Sequence, residues 1–186
     1  PCAGRPTSRM LAPMDGSGSR RRAARVVVLD PADRILLINA RDPFGRNRRD
    51  WWEIPGGGID RGELTHEAVQ RELWEEAGIR DAEIGPCVWT QTVQFTFAGL
   101  RFDQDEWVHV ARCDGSAAPP GGLEALEALA FGEQRWWSLD RLVDERPRTI
   151  PYRLIEFLPA LIEGELPEVP HDITPLEHHV EAWHSA

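Results

Sequence analysis

Short apolar runs separated by turn-forming residues predict a β-hairpin near the start of the folded part of the chain. Residues 24–29 (ARVVVL) and 35–38 (ILLI) are rich in β-branched and aliphatic side chains, and residues 30–33 (DPAD) between them are typical of a turn. Residues 51–54 (WWEI) indicate a third, brief strand that leads into consecutive glycines at 56–58. The pattern therefore predicts three short strands followed by a sharp backbone bend.

The next segment, residues 64–77, has the periodicity of an amphipathic helix. Its apolar stripe recurs every four positions, at Val69, Leu73 and Ala77. Thr65 is the predicted N-cap, and Gly78 is predicted to end the helix in a left-handed conformation.

Beyond this helix the pattern returns to strands and then to helices. Residues 84–98 and 101–112 indicate two long strands joined by a tight turn, and residues 134–138 indicate a last strand. Two further helices are predicted at residues 139–143 and 152–163. Strands mixed with helices in this order are typical of an α/β fold.

The chain divides into one domain and two tails. Residues 1–22 are rich in Gly, Ser, Pro and Arg and are expected to form a mobile basic tail. Residues 23–163 carry the periodic pattern and are expected to form the domain. Residues 164–186 are rich in Pro and His and are expected to pack back on the domain or on the other subunit of a homodimer; the histidines there are not expected to bind a metal.

Composition excludes several classes of protein. The 186 residues include 31 acidic side chains and 21 Lys and Arg, for a net charge of −10. Nucleic acid is therefore not expected as a partner, because phosphate binding needs clustered basic residues. No apolar run approaches the roughly 20 residues that cross a bilayer, so no membrane partner is expected. The three cysteines are scattered, as in a cytoplasmic protein with free thiols.

Three glutamates in the central helix indicate a metal site. Glu75 and Glu76 follow Glu72 by three and four positions, so the three side chains fall on one face of the helix, away from the apolar stripe. Their like charges repel, and a hard cation such as Mg²⁺, which prefers oxygen ligands, offsets that repulsion. Glu63 and Arg71 are two turns apart and are predicted to tie the glycine segment to the helix.

These residues together resemble a known family signature. Gly57, five residues, Glu63, seven residues and then residues 71–79 (RELWEEAGI) match the complete Nudix box. Its nine defining positions are all filled, by Gly57, Glu63, Arg71, Glu72, Leu73, Glu75, Glu76, Gly78 and Ile79. Residues 51–58, 104–106 and 135–137 also resemble a bacterial subgroup of this family.

The resemblance implies both a fold and an activity. The fold is the Nudix α/β/α sandwich with a central mixed β-sheet. The activity is a Mg²⁺-dependent pyrophosphohydrolase, with Mn²⁺ as an alternative ion, that cleaves the pyrophosphate linkage of a nucleoside diphosphate joined to another group. That small-molecule nucleotide substrate is a nucleoside triphosphate or else a nucleotide sugar or ADP-ribose. A non-catalytic Nudix-fold nucleotide sensor is the alternative, and the intact box argues against it.

The resemblance also implies roles for single residues. The metal ligands are Glu72, Glu75, Glu76 and the backbone carbonyl of Gly57. Glu75 also helps to activate the attacking water, and Glu63 with Arg71 forms the structural tie of the catalytic helix.

The general base is left open between four carboxylates. Glu106, on a strand beyond the box, is the first candidate, and Glu124 and Glu127 after the flexible 115–122 segment are the second. Glu75 is the fourth.

Substrate contacts are predicted in the segment before the box. Arg41, Arg46 and Arg48 are expected to bind a distal phosphate, because the guanidinium group matches phosphate oxygens. Trp51 and Trp52 alternate on a strand, so one faces the core and the other the cleft; Trp52 is predicted as the one that stacks on a base.

Overall fold

The computed structural model describes residues 20–45, 50–116 and 118–180. Within these ranges the elements are, in order, β1 (Arg21–Leu29), β2 (Ile35–Ala40), β3 (Trp51–Glu53), β4 (Gly56–Gly58), α1 (Thr65–Ala77), β5 (Glu83–Phe97), β6 (Leu100–Arg112), α2 (Glu127–Ala130), β7 (Phe131–Trp137), α3 (Leu139–Glu145), β8 (Thr149–Ile150), α4 (Leu154–Ile162) and β9 (His171–Asp172).

The strands form one mixed sheet in the order β8-β3-β2-β1-β6-β5-β9, with β4 also paired to β1 and β7 also paired to β2. The pairs β1–β6, β3–β8 and β5–β9 are parallel, and the others are antiparallel. The first half of β1 lies between β4 and β6, so only one strand separates the glycine segment from β6, which pairs with β5 on its other side.

Two hydrophobic cores cover the two faces of the sheet, because successive side chains of a strand point to opposite faces. Val26 and Val28 of β1 belong to the core that includes the apolar stripe of α1. Val27 and Leu29 belong to the core that includes residues of α3 and α4. The predicted α/β/α sandwich with a mixed sheet is therefore confirmed.

The central helix matches its predicted span, but its start differs. Leu64 is the N-cap, and its backbone N–H donates to the Glu67 carboxylate at 2.8 Å. Thr65, the predicted cap, is the first helical residue, and its hydroxyl contacts His109 Nε2 at 2.9 Å. Gly78 ends the helix with a φ of 65°, as predicted.

Both predicted tails contribute to the sheet. Arg21 and Arg22 belong to β1, which therefore begins two residues before the predicted start of the domain at Ala23. Residues 1–19 of the predicted N-terminal tail lie outside the described residues. In the C-terminal segment, β9 pairs with β5 and Ile173 is fully buried in the core with α4. Among the described residues, no helix combines the length and the apolar character needed to cross a membrane.

Candidate active site

A cavity of about 430 Å³ lies where β4 and α1 meet the first half of β1 and the paired strands β5 and β6. One end is lined by carboxylates of α1 and of the segment around α2. The other end is lined by aromatic side chains of β3, β5, β6 and β7. The cavity thus joins an acidic end to an apolar end.

Arg71 organises the acidic end. Its Nε and Nη2 donate to the two oxygens of Glu63 at 2.9 and 3.0 Å, and Nη2 also donates to the Gly58 carbonyl at 2.9 Å. Its Nη1 donates to Glu72 Oε1 at 2.6 Å and to Glu75 Oε2 at 3.0 Å. One guanidinium therefore connects the glycine segment, the start of α1 and two carboxylates of the box. The structure brings Glu63 and Arg71 together in the predicted tie.

The glycines of β4 allow the carboxylates to lie against the backbone. A Cβ atom at Gly57 would be 2.6 Å from Glu72 Oε1, closer than carbon and oxygen can approach without a shift. The neighbouring Gly56 donates its backbone N–H to Glu76 Oε2 at 2.8 Å. The glycine segment thus positions two carboxylates that a larger residue would displace.

Glu72, Glu76 and Glu127 form the acidic cluster. One carboxylate oxygen from each residue lies within 4.8 Å of the others. Burial, followed by the charges of Glu72 and Glu127, raises the pKa of Glu76 well above its usual value. Burial likewise raises the pKa of Glu72 and of Glu127. Three carboxylates at this spacing are the oxygen donors that a hard divalent cation requires.

The predicted ligand set and the observed cluster overlap in two residues. Glu75 lies beside the cluster, lines the cavity and is paired with Arg71, but it does not belong to the three-residue group. Glu127, predicted as a second candidate for the base, takes the third position. Gly121 and Gly122 place it there, because their N–H groups donate to the carbonyls of Trp74 and Glu75 at the end of α1.

Glu106, the first candidate for the base, is buried in a different polar network. Its carboxylate accepts from Arg25 Nε at 3.0 Å and from the side-chain amides of Gln91 and Gln104. Arg25 also donates to the Ile54 carbonyl at 3.2 Å, so this network joins β1 to β5, β6 and the β3–β4 connection. Glu106 lines the cavity, but each hydrogen bond that its carboxylate accepts comes from a side chain of the protein.

The aromatic end is built mainly by phenylalanines. Phe95 and Phe102 stack with ring centroids 5.1 Å apart, and Trp51 meets Phe97 edge to face at 6.3 Å. Phe131 also lines the cavity. Flat apolar surfaces of this kind accept another aromatic ring by stacking.

The predicted substrate-binding residues are distributed differently from expectation. Trp52 packs against Trp137, with centroids 5.0 Å apart, and Trp51 is the one that lines the cavity; this corrects the choice between the two tryptophans. Arg41 is exposed and is absent from the cavity lining, and its backbone N–H donates to the Ala130 carbonyl at 3.0 Å. Arg46 and Arg48 lie outside the described residues.

Comparison with known proteins agrees with this fold. The family model described as NUDIX domain matches residues 19–161. An RNA pyrophosphohydrolase from Francisella philomiragia is 35% identical over 129 residues, which cover 69% of this chain and 66% of that protein. An RNA pyrophosphohydrolase from Cereibacter sphaeroides is 64% identical over 54 residues, which cover 26% of this chain and 33% of that protein. The chain thus spans just under two thirds of the first relative and about a third of the second.

Solved structures show the same fold at low identity. A MutT protein from Methanosarcina mazei has a TM-score of 0.55 and 20% identity, covering 78% of this chain and 94% of that one. The dihydroneopterin triphosphate pyrophosphohydrolase from E. coli has a TM-score of 0.55 and 15% identity, covering 78% and 98%. With a family model that matches most of its length, the chain belongs to the Nudix family.

Proposed function

We propose that this Nudix chain is a Mg²⁺- or Mn²⁺-dependent pyrophosphohydrolase acting on a nucleoside diphosphate linked to another group. The observation that carries the proposal is the acidic cluster of Glu72, Glu76 and Glu127, set against the glycine segment at one end of a cavity whose other end is aromatic. The acidic end suits a cation with a diphosphate, and the aromatic end suits a base.

The donor set fits the ion that the proposal requires. Glu72, Glu76 and Glu127 supply carboxylate oxygens only, which favours Mg²⁺ or Mn²⁺ over softer metals. Their pKa values are raised by burial first of all, so the charged cluster is unfavourable without a counter-ion. A divalent ion bound there neutralises phosphate charge and lowers the pKa of the attacking water.

Side chains of the protein hold the carboxylates in place and accept the proton of the attacking water. Arg71 holds Glu72 and Glu75 in place through its Nη1. Glu75 keeps Oε1 without a hydrogen-bond partner among the described residues and faces the cavity, so it is the carboxylate we assign as proton acceptor. Glu106 is not assigned this role, because both of its oxygens accept from neighbouring side chains.

A substrate panel tests the proposal. The protein with Mg²⁺ is incubated with ribonucleoside and deoxyribonucleoside triphosphates, ADP-ribose, a UDP-sugar, a dinucleoside polyphosphate and 5′-triphosphorylated RNA. Phosphate is then measured after adding inorganic pyrophosphatase or alkaline phosphatase. Signal with pyrophosphatase marks a triphosphate cleaved to a monophosphate. Alkaline phosphatase is used only with the nucleotide sugar, ADP-ribose and the dinucleoside polyphosphate, whose phosphates it can remove only after the linkage has been cleaved.

We expect a free nucleotide to be cleaved faster than the RNA, because the acidic chain repels a polyanion. Metal-dependent binding of nucleotides without cleavage of any of them would contradict the enzyme and favour a nucleotide sensor. No binding and no cleavage across the panel would reject both.

A further inference from the structure

The cavity wall formed by β5 and β6 changes in chemical character along the strands. The register places Gln91 opposite Glu106, Val93 opposite Gln104 and Phe95 opposite Phe102. These pairs line the cavity on one face, and neighbouring pairs are about 6.8 Å apart because every second residue of a strand shares a face. Over about 14 Å the wall therefore passes from a carboxylate, through an amide, to stacked phenyl rings.

Glu106 determines how the two amides are oriented. Its carboxylate accepts Nε2 of Gln91 and Nε2 of Gln104, in addition to Nε of Arg25. A carboxylate paired with a guanidinium is an acceptor only, so each glutamine must turn its NH₂ group toward Glu106. The carbonyl oxygen of each amide consequently points away from Glu106.

Both of these amide oxygens lack a partner. Gln91 is 3% exposed and Gln104 is 1% exposed, yet Oε1 of each is buried without a hydrogen bond to the described residues. Leaving a buried acceptor unpaired is unfavourable. The other unpaired buried side-chain atoms among the described residues are indole N–H groups of Trp136 and Trp137, which do not line the cavity.

We propose that the Oε1 atoms of Gln104 and Gln91 accept hydrogen bonds from the ribose hydroxyls of the substrate nucleotide. The inference rests on the proposed function, which places phosphates at the acidic cluster and the base at Phe95 and Phe102. The sugar of a nucleotide lies between its phosphates and its base, and Gln104 lies between Glu106 and Phe102 along the wall. Ribose supplies two O–H donors, one for each acceptor. Glu106 is then a positioning residue that aligns the acceptors.

The test combines protein variants with substrate analogues. The nucleotide best cleaved in the panel is compared with its 2′-deoxy and 2′,3′-dideoxy forms, using the parent protein, Gln104→Met and Gln91→Met. Methionine has a similar volume and length but no amide acceptor. For the parent, we expect KM to rise about tenfold for each hydroxyl removed, the usual effect of losing a hydrogen bond, and so about a hundredfold from the ribo to the dideoxy form, with kcat within about twofold.

Each methionine variant should raise KM for the ribonucleotide about tenfold and leave KM for the dideoxy form nearly unchanged. Gln94→Met is the matched control, because Gln94 lies on β5, as Gln91 does, and its Oε1 already accepts a hydrogen bond from Arg101 at 3.2 Å. It should preserve the parent's preference for ribose. If a methionine variant fails to fold by thermal melting, Gln104→Asn, which withdraws the oxygen and keeps the amide, replaces it.

Equal increases in KM for all three nucleotides would overturn the proposal, because the amides would then not sense the sugar. A parent protein that discriminates between bases with and without N–H donors, but not between sugars, would also overturn it. A parent that cleaves no nucleotide would instead contradict the proposed function, so the two failures are distinguishable.

Discussion

Two buried carboxylates of the cavity, Glu106 and Glu76, are alike in burial and opposite in surroundings. Glu106 is 1% exposed and Glu76 is 2% exposed. Glu106 faces the guanidinium of Arg25 and two amide donors. Glu76 receives one backbone N–H, from Gly56; the charges that act on it most are the like charges of Glu72 and Glu127, and its interaction with the more distant Arg25 is weaker than that of Glu106.

The charge of Glu106 is balanced within the protein, whereas that of Glu76 needs an added cation. Burial alone lowers the pKa of Arg25, but the charges of Glu106 and Glu53 outweigh it, so the pKa of Arg25 is raised. Burial and the charge of Glu72 raise the pKa of Glu76, so its ionised form is disfavoured. The first group needs nothing further from solution, and the second gains from a cation.

The largest effect should come from breaking the completed pair. Arg25→Met leaves Glu106 buried without its cation, and loss of one member of a buried pair costs about 3–5 kcal/mol. We expect the free energy of unfolding, measured by urea denaturation, to fall by that amount. Arg112→Met removes one member of an exposed pair with Asp33 and should cost less than about 1 kcal/mol.

The double variant Arg25→Met/Glu106→Gln sharpens this result. It removes the isolated charge while keeping an acceptor for the neighbouring amides, so it should be more stable than Arg25→Met alone. A double variant less stable than the single one would mean that the pair is not the source of the loss.

Removing a charge from the acidic cluster should affect turnover rather than folding. Glu76→Gln takes away one predicted ligand of the ion and relieves repulsion from Glu72 and Glu127. We expect kcat to fall at least about a hundredfold, or about 2.7 kcal/mol, with a melting temperature equal to or above that of the parent in EDTA. Glu165→Gln, at an exposed site beyond α4, is the control and should leave kcat unchanged. Unchanged kcat in Glu76→Gln would reject the assignment of the cluster.

The sequence predicts the acidic end better than the aromatic end for a physical reason. Glu72, Glu76 and Arg71 belong to one helix, so the regular helical spacing places them on one face without knowledge of the rest of the fold. The same holds for Gly78, whose left-handed conformation is a local property of a helix end.

Residues that depend on tertiary pairing were predicted less well. Glu127 reaches the acidic cluster because Gly121 and Gly122 bond to the end of α1, and no local pattern specifies that contact. The choice between Trp51 and Trp52 depends on which face of β3 meets Trp137, a residue of another strand. The alternation showed that the two indoles face opposite sides but not which side is the cavity.

The smallest effect should be a dependence of stability on pH that the metal ion reverses. An acid whose pKa is raised on folding binds more protons in the folded state than in the unfolded state. The free energy of unfolding therefore falls as pH rises above the unfolded pKa of about 4.5 and through the raised folded pKa.

In EDTA, the melting temperature of the parent should therefore fall more than that of Glu76→Gln when the pH is raised from about 5 to about 8. The groups that set this slope are Glu72, Glu127 and Glu53 as like charges, and two cations that act in the opposite direction, Arg71 on Glu72 and Arg25 on Glu76. Under the proposed function Mg²⁺ binds the deprotonated cluster, so millimolar Mg²⁺ should raise the melting temperature of the parent most at the upper end of this range and that of Glu76→Gln much less. Parallel pH profiles for the two proteins, or equal stabilisation by Mg²⁺, would mean that Glu76, like Glu106, does not need an added cation in the folded protein.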